Sequence, residues 1–153
     1  MSGFVASAPA PAFTLTNDGF WPDIDANHLR ERQRIGGDVS NPRLEEAAVA
    51  AIISVNRELY SLKLRYMAQG HDTLSAVPAD QIQAESALIH IYRRAIYSTA
   101  SAEVAERYRT YSATNSGAAK AEEEDQSADD YRRDARFAIR DLLGISRSTV
   151  VLL

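Results

Sequence analysis

Residues 41–68, NPRLEEAAVAAIISVNRELYSLKLRYMA, contain the pattern that decides the fold. Asn41 is a capping residue, and Pro42 suits the first helical position because proline has no N–H to leave unpaired there. Glu45 and Glu46 follow in the first turns, where negative charge complements the helix dipole. The whole stretch from Pro42 to about residue 68 is therefore predicted to be one long helix.

This predicted helix carries two opposed apolar stripes when residues are placed at about 100° intervals. The first stripe consists of Leu44, Ala48, Ala51, Ile52, Val55, Leu59, Leu62 and Tyr66, and the second of Val49, Ile53, Tyr60, Leu64 and Met67. A surface helix needs only one apolar stripe, so the second indicates another body on that side, either the bundle itself or a second subunit. Because few helices are available, we favour a subunit interface that includes Val49, Ile53, Tyr60 and Leu64.

Three other segments are predicted to be helical. A short helix follows Asp25 as its N-cap and ends at Gly36 and Gly37. A core helix follows Asp80 as its cap and carries Ile82, Ala84, Leu88, Ile89, Ile91, Tyr92, Ala95 and Ile96. It either continues past Ser101 or is followed there by a new helix. A last helix is predicted over about 128–143, with a weak capping box at Ser127 and Asp130 and a stop at Gly144.

The remaining segments lack a helical period. Residues 1–16 are rich in Ala, Pro and Ser and are predicted to be a flexible arm. Residues 113–127 are small and polar and are predicted to be a loop, and residues 145–153 form an extended tail. The fold prediction is an all-α bundle of about four helices, in one domain that spans residues 1–153 with the bundle over 17–144.

Composition excludes several classes of protein. The 153 residues include no Cys, which rules out disulfides, thiolate metal sites and thiol catalysis. The start of the chain has neither the basic region nor the apolar run of a signal peptide, and no segment approaches the ~20 continuous apolar residues that span a bilayer. We therefore expect a soluble intracellular protein. The net charge of −4 disfavours general nucleic-acid binding.

No catalytic or metal-binding constellation is present in the sequence. The three histidines form no i, i+4 pair, and the acidic run at 122–125 lacks the alternating ligands of a calcium loop. There is no nucleophile elbow and no phosphate-binding glycine fingerprint. We predict that the protein is not an enzyme and holds no cofactor or metal.

Three surface features are candidates for binding. The first is a ridge of arginines on the last helix, which either pairs with Asp129 and Asp134 or binds acidic residues of a neighbouring subunit or phosphates; it consists of Arg132, Arg133, Arg136 and Arg140. The second is the mixed polar face of the core helix with His90, Arg93, Arg94 and Tyr97. The third is the apolar tail, which either folds back on the bundle or adds to a partner; it consists of Ile145, Ser146, Arg147, Ser148, Thr149, Val150, Val151, Leu152 and Leu153.

Segments from residue 17 to the end of the sequence together resemble the GPL family, the head completion/stabilisation proteins of temperate contractile-tailed bacteriophages. The resemblance rests on the sum and order of seven pieces, NDGFWPDID, LRERQRI, LEEAAVAAIISVNREL, LSAVPADQI, LIHIYRRAIY, ERYRTY and RRDARFAIRDLLGISRSTVVLL. Residues 1–16 and the predicted loop lie outside it.

The resemblance implies a virion structural protein in the head–tail connector, made in the host cytoplasm and placed in the neck of the particle. It implies a ring of about twelve copies, docked on the portal protein and followed by a tail-completion or tail-terminator protein. Packaged DNA would pass through the ring without sequence-specific binding, and no membrane is involved. The apolar tail, residues 145–153, is the preferred portal contact.

Phe20 and Trp21 stand in a loop between acidic residues, and two large rings there must rest on something. We expect them to fix the arm to the bundle at a subunit boundary; packing only within their own subunit is the alternative. Two rival functions stay open. One is a DNA-binding or DNA-terminus-protecting protein that uses the arginine ridge, and the other is an assembly chaperone absent from the finished particle.

Overall fold

A computed structural model of the protein describes residues 11–109 and 117–146. Its helices are α1 (Ala26–Arg32), α2 (Asn41–Glu58), α3 (Tyr60–Ala68), α4 (Ala87–Arg109) and α5 (Gly117–Leu143), with a 3₁₀ turn at Leu74–Ala76. Two antiparallel ribbons are formed by β1 (Thr14–Leu15) with β2 (Ile24–Asp25) and by β3 (Gln81–Ile82) with β4 (Glu85–Ser86). The prediction of a small, mostly helical fold is confirmed.

Helix α4 is the centre of the fold, as predicted. It packs most extensively against α5 and next against α2. Tyr92, Ile96 and Ala100 on α4 are fully buried, and its buried alanines and serines allow neighbouring helices to come close. The helix runs without interruption past Ser101, so the alternative of a new helix at that point is wrong.

The predicted helix over 42–68 is interrupted at Leu59. This residue lies outside the usual helical angles, with φ −92° and ψ 5°, yet its N–H still donates to the carbonyl of Val55 and its own carbonyl accepts from Lys63, both at 3.0 Å. The i to i−4 hydrogen bonds therefore continue across Leu59, and the side chains of α2 and α3 keep the same helical spacing. The N-cap is Ser40 rather than Asn41, whose side chain accepts a hydrogen bond from Arg30.

The start of the core helix was predicted wrongly. Residues 81–86 form the β3–β4 hairpin, and α4 begins only at Ala87, whose N–H donates to the carbonyl of Asp80 at 2.8 Å. The hairpin turns at Gln83 and Ala84, which both have positive φ. Because neither is Gly or Asn, the usual turn signature is missing, and apolar Ile82 was assigned to the core although it is exposed.

The predicted loop over 113–127 is also wrong where the structure describes it, because residues 117–127 belong to α5. Ser127 is therefore inside a helix and cannot be part of a capping box. The C-terminal end of α5 is as predicted. Gly144 has φ +69°, and the N–H groups of Gly144 and Ile145 donate to the carbonyls of Asp141 and Arg140, which is the Schellman arrangement.

The two ends of the described chain differ from the prediction in extent. Asp25 caps α1 as predicted and accepts from the N–H of His28 at 3.0 Å, but α1 ends at Arg32, before the two glycines. The predicted arm is shorter than 1–16, because β1 pairs with β2 and Leu15 is buried. Residues 1–10 and 147–153 lie outside the described part. Within that part, no helix is long and apolar enough to cross a membrane.

Candidate subunit interface

The second apolar stripe lies on the outside of the chain. Its members Val49, Ile53, Tyr60, Leu64 and Met67 are all exposed, whereas the first stripe is buried except for the half-buried Tyr66. The contrast is sharpest between neighbours, because Ile52 is 8% exposed and Ile53 is 54% exposed. We call this exposed set the outer stripe. It is an apolar face of α2 and α3, interrupted by exposed Arg57 between Ile53 and Tyr60, that the subunit does not cover with its own described residues.

Phe20 and Trp21 pack into the core of their own subunit. The indole ring of Trp21 stacks on Tyr92 with a centroid distance of 4.8 Å and an interplanar angle of 4°, and Phe20 meets Trp21 edge-on at 4.9 Å. The carbonyl of Phe20 accepts the N–H of Leu74 at 2.9 Å. With Trp21 only 2% exposed, almost none of its surface is left for a neighbour. The rings therefore rest on the bundle of their own subunit, and the expectation that this packing lies at a subunit boundary stays a prediction.

A polar turn holds Trp21 in place. The side chain of Asp18 accepts from the backbone N–H groups of Phe20 and Trp21, both at 3.1 Å, and pairs with Lys63 at 2.6 Å. Burial raises the pKa of Asp18, but the Lys63 hydrogen bond and these two N–H groups outweigh it and hold the pKa below its ordinary value. The intervening Gly19 has φ +90°, which favours glycine. The turn is therefore a fixed platform rather than a loose loop.

A cleft lies between this turn and the outer stripe. Its volume is about 390 Å³, and it is lined by Asp18, Trp21, Ile53, Asn56, Arg57, Tyr60 and Lys63. We call it the Trp21 notch. The indole N–H of Trp21 is buried and has no hydrogen-bond partner, and Arg57 makes no side-chain pair with another described residue. The notch thus combines apolar walls with a cation that is unpaired within the described part of the chain.

Two of the four arginines in the ridge on α5 are paired with carboxylates of the chain itself. Arg132 forms ion pairs with Glu106 and Asp129, which raise its pKa, and Arg133 pairs with Asp130 at 2.7 Å. Arg140 donates to the carbonyl of Ser146 at 3.1 Å, while Arg136 lines a shallow cleft between α4 and α5. Asp134, a predicted partner of the ridge, lies instead 3.6 Å from Arg94. This favours the interpretation of a solvated, internally paired face.

The mixed polar face of α4 lines a larger open cleft of about 630 Å³ next to α1 and the β3–β4 hairpin. Arg93 makes a bidentate pair with Glu85, at 2.8 and 2.9 Å, which lowers the pKa of Glu85. Tyr97, which belongs to the predicted mixed polar face, is buried, and its hydroxyl lies 2.6 Å from His28 Nδ1. Burial raises the pKa of Tyr97 to about 12. These contacts join α1, the hairpin and α4.

No site for chemistry emerges from the residues that the structure describes. No group of three or more His, Asp or Glu side chains in that part of the chain could hold a metal ion.

Of the predicted portal-binding tail, Ile145 and Ser146 lie in the described part, and Ile145 is exposed. The residues from Arg147 to Leu153 lie outside it, so their role stays a prediction.

Comparison with known proteins gives a consistent family. The model of the phage head completion protein (GPL) family matches residues 15–153. The chain is 38% identical over 136 residues to the head completion/stabilization protein of Escherichia phage P2, covering 89% of this chain and 80% of that protein. It is 26% identical over 139 residues to a probable head completion/stabilization protein of Haemophilus phage HP1, covering 91% of each. No solved structure matches the chain significantly.

Proposed function

The chain belongs to the phage head completion protein (GPL) family, and from that membership we propose that it is a structural protein of the virion that completes and stabilises the phage head. The relative from phage P2 carries this description in its name. The described residues support a structural role, because the charged side chains that line the largest described cleft include the Arg93–Glu85 ion pair, which joins the hairpin to α4. An enzymatic activity has no support in the part of the chain that the structure describes.

In its finer form, the proposal is a ring-forming adaptor of about twelve copies in the neck, between the portal protein and a tail-completion or tail-terminator protein. The outer stripe is the observation that carries it. Five large apolar side chains on one helical face are costly to leave in water, and a ring buries such a face on each subunit against its neighbour. The proposed interface therefore contains Val49, Ile53, Tyr60 and Leu64, with the α5 ridge as a candidate opposing surface.

The apolar tail over residues 145–153 is the proposed portal contact. Deleting residues 147–153 keeps Gly144 and Ile145, whose N–H groups cap α5, so we expect the truncated protein to fold with an unchanged circular dichroism spectrum. We expect it to lose binding to the portal protein, because an extended apolar segment can add main-chain hydrogen bonds to a partner. As a control, changing Ser146, Arg147 and Ser148 to Ala keeps the apolar residues. If the truncated protein still bound the portal, the tail would not be the contact.

The rival functions have separate tests. If the ridge contacted phosphates, the affinity for duplex DNA would fall steeply as the salt concentration rises. Weak or absent duplex binding at low salt would remove the DNA-binding alternative. The ion pairs of Arg132 and Arg133 already weigh against it. Mass spectrometry of purified particles tests the chaperone alternative, since an assembly chaperone would be missing from them.

A further inference from the structure

We propose that the Trp21 notch of one copy is the docking site for the β3–β4 hairpin of a second copy. In this contact Ile82 enters the notch beside Ile53 and Tyr60, and Asp80 pairs with Arg57. The inference rests on the proposed self-assembly and goes further, because it names the two surfaces that meet.

The notch specifies what its occupant must bring. Ile53 and Tyr60 give it apolar walls that are more than half exposed. At the rim, Arg57 carries a positive charge that is unpaired within the described part of the chain. The occupant must therefore supply an apolar side chain and a negative charge.

The hairpin and the residue before it carry both groups. Ile82 is 53% exposed and lies apart from the outer stripe. Asp80 is an exposed carboxylate with no ion pair among the described residues. The carbonyl of Ile82 bonds to His90 Nε2 at 2.9 Å, which braces the hairpin on α4. This complementarity of charge and hydrophobicity points to a second copy of the chain as the occupant.

The hairpin turn is also conformationally costly. Gln83 and Ala84 have φ of 50° and 60°, in the left-handed region that costs non-glycine residues about 1–2 kcal/mol each. Strained backbone of this kind persists where surrounding structure supports it and clusters at functional sites. The Ile82 carbonyl bond to His90 fixes the hairpin with the Ile82 side chain exposed, where a neighbour can reach it.

The two surfaces lie on opposite sides of the subunit. The hydroxyl of Tyr92 donates to Asn56 at 2.6 Å, so Tyr92 faces α2. His90, two residues earlier, lies about 200° around α4 and holds the hairpin on the far side. Ile53 faces away from the α2–α4 contact because its neighbour Ile52 is the buried residue. The notch and hairpin of one chain therefore cannot meet, and their contact between copies is head-to-tail, which generates a ring if it closes.

Disulfide crosslinking tests this contact. The chain has no cysteine of its own, so introduced cysteines can link only to each other. Ile53→Cys and Ile82→Cys are introduced together, and the variant is oxidised both as concentrated free protein and in particles assembled with it. We expect a ladder of covalent oligomers on a non-reducing gel, because each copy then links to two neighbours. Either single variant should give dimers at most. Ser40→Cys with Ile82→Cys is the matched control, since Ser40 is exposed at the far end of α2.

A charge exchange tests the pair of Asp80 and Arg57. Arg57→Glu or Asp80→Lys alone should slow ladder formation by about threefold, the size expected for one exposed ion pair, and the two changes together should restore it. Arg57 and Asp80 are exposed, as are the two cysteine positions 53 and 82, so these variants are expected to fold normally.

The outcomes separate this inference from the proposed function. If the hairpin pair gives no more ladder than the Ser40 control in either sample, the docking is wrong. A ladder from Ile53→Cys with Arg133→Cys in that case would show self-assembly through the α5 ridge instead. If the chain is missing from assembled particles altogether, the proposed structural role falls with it.

Discussion

A closed set of three polar side chains lies in the centre of the protein. The hydroxyl of Tyr92 donates to Asn56 at 2.6 Å and accepts from Asn17 at 2.8 Å, and Asn56 donates back to the oxygen of Asn17 at 2.9 Å. Burial raises the pKa of Tyr92 well above its usual range, so its hydroxyl remains a donor. These bonds tie the loop that carries Trp21 to α2 and α4, and so they set the floor of the Trp21 notch.

Tyr92→Phe should lower the free energy of unfolding by about 1–3 kcal/mol, because it leaves the partly buried amide groups of Asn17 and Asn56 without one of their partners. Urea unfolding measures this. Tyr60→Phe is the control, since the Tyr60 ring is 57% exposed and its hydroxyl reaches water. Equal stability of the Tyr92 variant and the parent protein would mean that the network does not hold the core together.

At the scale of elements, α2 and α3 form a helix pair with one buried and one exposed apolar face. Ile52→Ala should cost about 2–5 kcal/mol through lost burial and the cavity left behind. Ile53→Ala, one residue along, should change the stability of the free subunit by less than about 0.5 kcal/mol. Chemical denaturation of the two variants side by side checks this, and a large loss for Ile53→Ala would show that the outer stripe is covered in the free subunit.

The helices whose apolar periodicity was strong could be predicted from sequence. The two faces of residues 41–68 were correctly separated because a helix repeats regularly even across the break at Leu59. The β3–β4 hairpin could not be predicted from sequence, because Gln83 and Ala84 take turn angles that usually require Gly or Asn. The first half of α5 was missed because its polar composition suggested a loop. Its Ala, Lys and Glu residues are strong helix formers, and that propensity was the available signal.

At the scale of the whole molecule, the candidate interface was only half predictable. The outer stripe follows from helical geometry within one segment. The Trp21 notch does not, because it forms only when the Asp18 turn folds against α2 and α3 and Trp21 stacks on Tyr92 of α4. Phe20 and Trp21 were correctly recognised as rings that need support, but the sequence could not decide between the subunit and its neighbour.

A ring-forming subunit must have its outer stripe and the neighbouring notch covered by another chain in the assembled particle. Imaging the neck of particles that contain this chain, at side-chain resolution, tests that directly. We predict that Val49, Ile53, Tyr60 and Leu64 of each copy lie against another chain, with the hairpin of a neighbouring copy at Trp21. A map in which these side chains face solvent, with no other chain in contact, would contradict the ring-forming account.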